Sequence, residues 1–506
     1  MNIIVLKSFL PEIFFSCAIL FQLIFNAKIV NNLKNNFPLI SREIFSQSLF
    51  ILFILALFYY DLRIEAATST YSLVNNETAI TLKFVLVLIG IVSLFIVSEA
   101  FVIQKLNFSE YYSIVLLSIL ALLIMISAGD LIMFYLSMEM QALCFYILAA
   151  FNRNNTFSVE AGLKYFVSGS FISGFFLLGS SFIYGGLGTV NLHDIFLLTS
   201  FSVRDFSWWL EYVIVGGCML VVATLLFKLG CAPFHFWVPD VYEGAPLAST
   251  YLFSVLPKLP LIIFFMKFII SINNIYSHIA DAVVISGLIS VFLGTFFALT
   301  QKRLKRLIIY SSIAQVGFIV VCLGVNTIGS FVAALFFVFI YILTSILIWG
   351  LFILLNKSHY EYAKFNAREL TPLFISSLAN LFIKSKEWAF VFAIVMFSIA
   401  GIPPLAGFLA KADVLYELIL SDRLYIAISL IFISAISTFY YLRILKVIFF
   451  EPRKSLPLDD FTSIPSGSPS LYAVLSVAAF LLIFLFFFPN GLLLFCKKIV
   501  LGLYWF

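Results

Sequence analysis

Charge is what this sequence most lacks: only 11% of its 506 residues are Asp, Glu, Lys or Arg, against 63% hydrophobic. A soluble chain of that length carries far more charge on its surface, so a single soluble core is excluded. Paired cysteines are missing too. Cys17, Cys144, Cys218, Cys231, Cys322 and Cys496 are scattered through apolar stretches and none forms a Cys-x-x-Cys pair. That spacing argues against an iron–sulfur or zinc site and reads as small buried hydrophobes. There is no Walker motif and no G-x-G-x-x-G between a strand and a helix, so nucleotide binding has no support. The net charge of +5 is spread over loops, with no basic run interleaved with aromatics, which leaves no nucleic-acid surface. The N-terminus lacks an Arg/Ser-rich transit peptide. Its first apolar stretch has no small-residue cleavage site and reads as a permanent helix. His193, His278 and His359 have no partners at metal-ligand spacing.

Long apolar runs take the place of charge. About 20 apolar residues cross the hydrocarbon core as a helix. That ruler predicts spans near 9–29, 44–60, 80–103, 111–128, 130–151, 160–184 and 211–230. Seven more follow near 246–272, 281–300, 306–325, 329–355, 387–418, 424–449 and 470–495. The fold class is all-α integral membrane, with about fourteen transmembrane helices. The 387–418 run is too long for one straight span and is interrupted by Gly401-Ile402-Pro403-Pro404, while the span ending at Lys228 runs into Cys231-Ala232-Pro233. Both are predicted to be broken helices. The polar stretches 61–79, 356–386 and 452–469 read as surface loops, and Asn191–Ser202 as a short amphipathic segment in the membrane interface.

These spans group into an N-terminal set of three (1–110), two five-helix blocks (111–280 and 281–450), and a loop with a last span (451–506). An odd number of helices per block inverts one block relative to the other. Inverted repeats with broken helices are how many ion-coupled transporters place a site near the midplane. An even count puts both termini on one side, called A. Side B then carries Lys28, Lys34 and Arg42, the cluster Lys302, Arg303, Lys305 and Arg306, and Lys357, Lys364, Arg368, Lys384 and Lys386. Lys446, Arg453 and Lys454 join them there. Side A has mainly Lys7, Arg63, Lys83, Arg204, Lys267 and Arg423, with Lys497 and Lys498 as exceptions. Side B is therefore the cytoplasm or the matrix.

Four lysines remain inside spans: Lys164, Lys228, Lys258 and Lys411, with Arg443 near the side-B end of its helix. A charge at the bilayer centre costs roughly 2.5–3.5 kcal/mol on insertion scales, so each needs a polar interior or a function. Buried lysine can exchange protons and arginine cannot, which favours proton handling over a static ion pair. Glu139, in Ser137-Met138-Glu139-Met140-Gln141, lies mid-span among apolar neighbours and is the expected partner of Lys228. The alternative is a structural ion pair that only fixes helix packing. Glu12 and Glu99 lie near helix ends, where solvation is expected. His235, in Pro233-Phe234-His235-Phe236-Trp237, sits at the break and either passes protons or packs the loop. Asp240 and Glu243 are expected to face the side-B surface and cap the next helix.

The segments SMEMQALCFYILAAF (Ser137–Phe151) and EAGLKY (Glu160–Tyr165) resemble subunit 2 of respiratory complex I. So do LFKLGCAPFHFWVPDVYEGAP (Leu226–Pro246), RLIIYSSIAQVGF (Arg306–Phe318) and FSIAGIPPLAGFLAK (Phe397–Lys411). The PFHFWVPD and GIPP segments are shared by the wider antiporter-like superfamily, while SMEMQ with EAGLKY points to subunit 2. The resemblance covers most of the chain from about 110 to 450. It implies a proton-translocating module in the membrane arm of NADH:ubiquinone oxidoreductase.

In that family the proton-handling glutamate and lysines match Glu139, Lys228, Lys258 and Lys411; Lys164 and His235 are further candidates from their own positions in the sequence. The resemblance implies no cofactor in this chain, since NADH, FMN, iron–sulfur clusters and ubiquinone belong to other subunits. The implied partners are the subunit 4L-like and subunit 4-like neighbours and membrane lipids. In the implied mechanism Glu139 and Lys228 are the switch, Lys258 relays protons across the centre, and Lys411 faces the second half-channel. Three N-terminal spans that shortened animal versions lack argue against an animal source. The SMEMQ context and the 61 phenylalanines favour the mitochondrial inner membrane, with both termini toward the intermembrane space. Two other readings remain open: a subunit of a multi-subunit cation/proton antiporter, and a structural spacer with no channel of its own.

Overall fold

The computed structural model describes residues 8–32, 37–62, 68–69, 72–104, 110–202, 208–273, 275, 277–365, 374–379, 381–451 and 468–504. Helices α1 (Leu10–Asn32), α2 (Phe37–Leu62) and α3 (Glu77–Gln104) form the N-terminal set. A two-stranded antiparallel ribbon, β1 (Thr68–Ser69) with β2 (Val74–Asn75), occupies part of the expected 61–79 loop. Then come α4 (Glu110–Ser127), α5 (Leu131–Ala149), α6 (Thr156–Leu187), the short α7 (Leu192–Ser202), α8 (Trp208–Leu229) and α9 (Trp237–Gly244). Next are α10 (Leu247–Val255), α11 (Lys258–Ser271), α12 (Ser277–Thr300), α13 (Leu304–Val325) and α14 (Ile328–Phe365). The short α15 (Leu381–Lys384) precedes α16 (Lys386–Ala400), α17 (Ala406–Leu420), α18 (Leu424–Phe449), α19 (Pro469–Phe487) and α20 (Asn490–Leu503).

Among the described residues, thirteen helical stretches are long and apolar enough to cross a membrane. The 387–418 run supplies the remaining crossing as two 15-residue halves, α16 and α17, each too short to span alone. The chain is thus an all-α, multi-pass membrane protein with the expected number of crossings. Packing divides it into two compact units. Unit 1 holds Met1–Leu229, Asp240–Ala282 and Lys498–Phe506, and unit 2 holds Gly230–Pro239 and Val283–Lys497.

Three expected features differ. The 246–272 span is two helices, because Pro257 has no N–H to continue the ladder of α10 and a new helix starts at Lys258. The 470–495 span is likewise split at Phe488 and Pro489 into α19 and α20. Asp240 does not cap the helix after it. It lies in the first turn of α9, and the residue capping α10 is Pro246, with no side-chain bond. Of the cysteines, five are buried and Cys17 is exposed. The side chains of Lys7, Lys34, Arg42, Arg63, Arg204, His278, Lys357, His359, Lys364, Arg368, Lys384, Arg453 and Lys454 fall outside the described residues.

Within unit 1, glycine sets the closest helix approach. A Cβ at Gly179 of α6 would sit 2.8 Å from the Gly217 carbonyl oxygen of α8, and one at Gly217 the same distance from the Gly179 carbonyl. Small residues let two membrane helices touch backbone to backbone, where apolar surface alone gives no drive to associate. That contact fixes α8, and with it Lys228, against α6.

Candidate functional site

Both helix breaks are written the same way. Gly230 and Gly401 adopt left-handed backbones, φ +78° and +82°, directly after the last helical residues of α8 and α16. Glycine takes that conformation without a Cβ penalty, and the following Pro233 or Pro403-Pro404 prevents the helix from resuming. A broken helix leaves its last carbonyls without intrahelical partners inside the membrane. Lysines meet them. Lys258 Nζ donates to the Leu229 carbonyl at 2.6 Å, and Lys411 Nζ donates to those of Ile399 and Ala400, both at 2.9 Å. An ammonium there also opposes the negative end of the helix dipole.

Lys258 and Lys411 therefore share one arrangement. Sequence reading had set Lys228 beside Lys411 as the lysine at each break. Lys228 instead precedes its break, on the helix whose carbonyl Lys258 caps.

Glu139 and Lys228 are brought near each other but not into contact. Lys228 is 7% exposed and its Nζ makes no hydrogen bond; Glu139 Oε1 is buried and makes none either. The Glu139 charge still acts on Lys228 through space. The expected direct ion pair is thus replaced by a gap between two buried, unsatisfied polar atoms. Such atoms are where proteins hold ordered water, and removing the compensating charge from either would be costly.

Three tyrosines surround the carboxylate closely enough to feel its charge: Tyr135, Tyr146 and Tyr165. The Tyr146 hydroxyl is also buried without a hydrogen bond, and its ring meets that of Tyr165 edge-on at 4.8 Å. Sequence reading missed Tyr146. Its position seven residues after Glu139, two turns along the same face of α5, was the signal that could have found it.

Lys411 lines a small recess with Gln315, Tyr341, Thr344 and Ser398. The Ser398 hydroxyl is fully buried and unpartnered, and Lys411 Nζ also sits 5.7 Å from the Phe318 ring centroid. The recess is mixed, with Phe337, Ile340 and Ile399 between the polar side chains, so the polar groups facing the ammonium are few and specific.

The weaker candidates separate. Lys164 is 48% exposed, bonded to Glu160 at 2.8 Å and Asp240 at 3.2 Å, on a face of α6 that also exposes Leu163, Val167 and Phe171. It is not a buried lysine. His235 is 3% exposed, follows the Gly230 break, packs at a tilt against Phe236 with ring centroids 4.5 Å apart and leaves Nδ1 unbonded. Arg443 is exposed, as expected near a helix end.

Four groups assigned to solvent are buried instead: Glu99 at 8% exposed, Lys83 at 0%, Lys267 at 4%, and Glu12, whose side chain is 12% exposed and bonded to Lys83. Position near a helix end made them look solvated, but neighbouring helices cover those ends.

Fold and site together define a polytopic helical membrane protein whose two broken spans are capped by lysines. The sequence profile described as NADH:quinone oxidoreductase/Mrp antiporter, TM, matches residues 128–437, and the chain belongs to that family. It is 32% identical over 497 residues to NADH-quinone oxidoreductase subunit N of Ruthia magnifica subsp. Calyptogena magnifica, covering 98% of this chain and 97% of the relative. It is 31% identical over 502 residues to NADH-ubiquinone oxidoreductase chain 2 of Marchantia polymorpha, covering 97% and 98%. Its fold is similar to that of a chain in respiratory complex I from Thermus thermophilus with bound aureothin, at TM-score 0.74 and 22% identity, over 96% and 98% of the two chains.

Proposed function

We propose that this chain is a proton-translocating subunit of the membrane arm of an NADH:ubiquinone oxidoreductase, moving protons from matrix to intermembrane space as quinone is reduced elsewhere in the complex. The observation that carries this reading is the set of ionisable groups held inside the spans, at and beside the two helix breaks. Lys228 and Glu139 lie just out of contact, and Lys258 and Lys411 each hold the end of a half-helix. End-to-end similarity to subunit N and chain 2 relatives supports the redox-linked assembly.

In this mechanism Glu139 and Lys228 form the switch. Closing the gap between them holds Lys228 charged, and opening it lets Lys228 release its proton. Lys258 relays the proton, and Lys411 passes it to its own recess in the second five-helix block. Flavin, clusters and quinone belong to other subunits, and the neighbours in the membrane are subunit 4L-like and subunit 4-like chains. Isolation of the native complex, with the mass of each component, tests the assembly. Flavin- and cluster-bearing subunits should co-purify with the chain; a complex holding only cation-antiporter components would remove the redox reading.

Orientation has its own test. Lys302, exposed at the start of the 302–306 cluster, should face the matrix, and both termini the intermembrane space. A membrane-impermeant amine reagent applied from the intermembrane-space side should leave Lys302 unmodified. Labelling from that side would reverse the assigned direction of both half-channels.

A further inference from the structure

Unit 1 holds a second cluster of buried charge that includes none of Glu139, Lys228 and Lys258. Lys83 of α3, fully buried, donates to Glu12 Oε1 of α1 at 2.5 Å and to Asn75 Oδ1 of β2 at 2.6 Å. Glu12 Oε2 and the Tyr59 hydroxyl of α2 are both buried, and the two side chains interact directly. Lys267, at the far end of α11 from Lys258, donates to the Ile126 carbonyl at 2.7 Å and the Ala128 carbonyl at 3.3 Å. It lies near enough to Lys83 for the two charges to act on one another.

Lys267 also lines a small recess with Asn76, Thr78, Ala79, Ile126 and Leu503. Next to Thr78, Glu77 forms an exposed ion pair with Lys498 at 2.5 Å. The cluster thus joins a fully buried lysine and its largely covered carboxylate to a recess flanked by solvent-exposed charge.

A cap on the end of α4 needs only a hydrogen-bond donor. Two ammoniums that act on one another out of water repel, and lysine, unlike arginine, can relieve that repulsion by passing on its proton. The Tyr59 hydroxyl and the second Glu12 oxygen face one another beside the pair, so the Glu12 carboxylate is held between a phenol and an ammonium. We propose that Lys267, supported by Lys83 and Glu12, is a second proton-handling site of this chain: a port where the Lys267 amine exchanges protons with water in the recess. The step breaks one N–H bond and forms one O–H bond. The neutral amine keeps an N–H on the Ile126 carbonyl and is reprotonated by the next proton to arrive, so no co-reactant is needed.

The proposal rests on the proton-translocating reading above, and the test separates the two. In the assembled complex, reconstituted into vesicles, proton yield per quinone reduced is measured for Lys267→Arg, Lys267→Met, Glu12→Gln and, in parallel, Lys411→Ala. Arginine keeps the charge and the carbonyl bonds but does not release a proton. Lys267→Arg should therefore at least halve the yield, as Lys267→Met does, with assembly unchanged. Wild-type yield in Lys267→Arg with loss in Lys267→Met makes Lys267 a structural cap and overturns the port. Should either Lys267 variant fail to assemble, Glu12→Gln decides: a lowered yield supports the port and an unchanged one overturns it. Wild-type yield in Lys411→Ala would sink the translocation reading itself, whereas loss there with wild-type Lys267→Arg sinks the port alone.

Discussion

Lys228→Ala should give a complex that assembles normally but has lost most of its quinone reductase activity and, with it, proton translocation. The two fall together because tight coupling lets electrons pass only as protons move. A positioned proton-transfer group contributes roughly 10²–10⁴-fold to the step it serves, so the residual rate should be a small fraction of wild type. Assembly should survive, since α8 is held to α6 by the Gly179–Gly217 approach and not by a Lys228 contact. Lys228→Arg should be nearly as damaging despite keeping the charge, because a guanidinium does not give up its proton and is too large for a site that is 7% exposed. Wild-type rate and proton yield in an assembled Lys228→Ala complex would make the lysine structural and the switch wrong.

Glu139 should show a graded response. Two unit charges about 4 Å apart interact by roughly 4 kcal/mol at an effective dielectric of 20. Glu139 and Lys228 stand beyond hydrogen-bond contact, so that figure bounds their coupling from above. Glu139→Gln keeps size and hydrogen-bonding capacity but deletes the charge, so Lys228 is no longer held charged and the switch stalls in one state. Glu139→Asp retains the charge at longer reach and should be milder. Activity should fall in the order wild type, Glu139→Asp, Glu139→Gln, at equal amounts of assembled complex, measured as quinone reduction by the isolated enzyme. A Gln variant as active as wild type would remove the charge of Glu139 from the mechanism.

Most of the fold was readable along the chain. Apolar run length counts membrane crossings directly, because a helix in hydrocarbon must satisfy its backbone internally and must be long enough to emerge. The two breaks were readable for an equally local reason: Gly401-Ile402-Pro403-Pro404 and the Gly230–Pro233 segment cannot stay helical. Glu139, Lys228, Lys258 and Lys411 stood out because charge is rare in such runs. Errors gathered where local rules compete with coverage. Proline split the 246–272 and 470–495 runs, although their hydropathy is continuous.

What the sequence determined by itself is the membrane class, the number of crossings, the broken helices and the identity of the mid-span charges. Each depends on composition and spacing within one segment. Only the tertiary structure decided that Lys258 and Lys411 hold the open carbonyls of half-helices, and that Glu139 and Lys228 stop short of contact beside Tyr146. It likewise decided that Lys83 and Lys267, which look solvated near the ends of their helices, are both buried. Helix position reports depth along one segment, while burial and pairing depend on which other segments pack over it, and that information is not local.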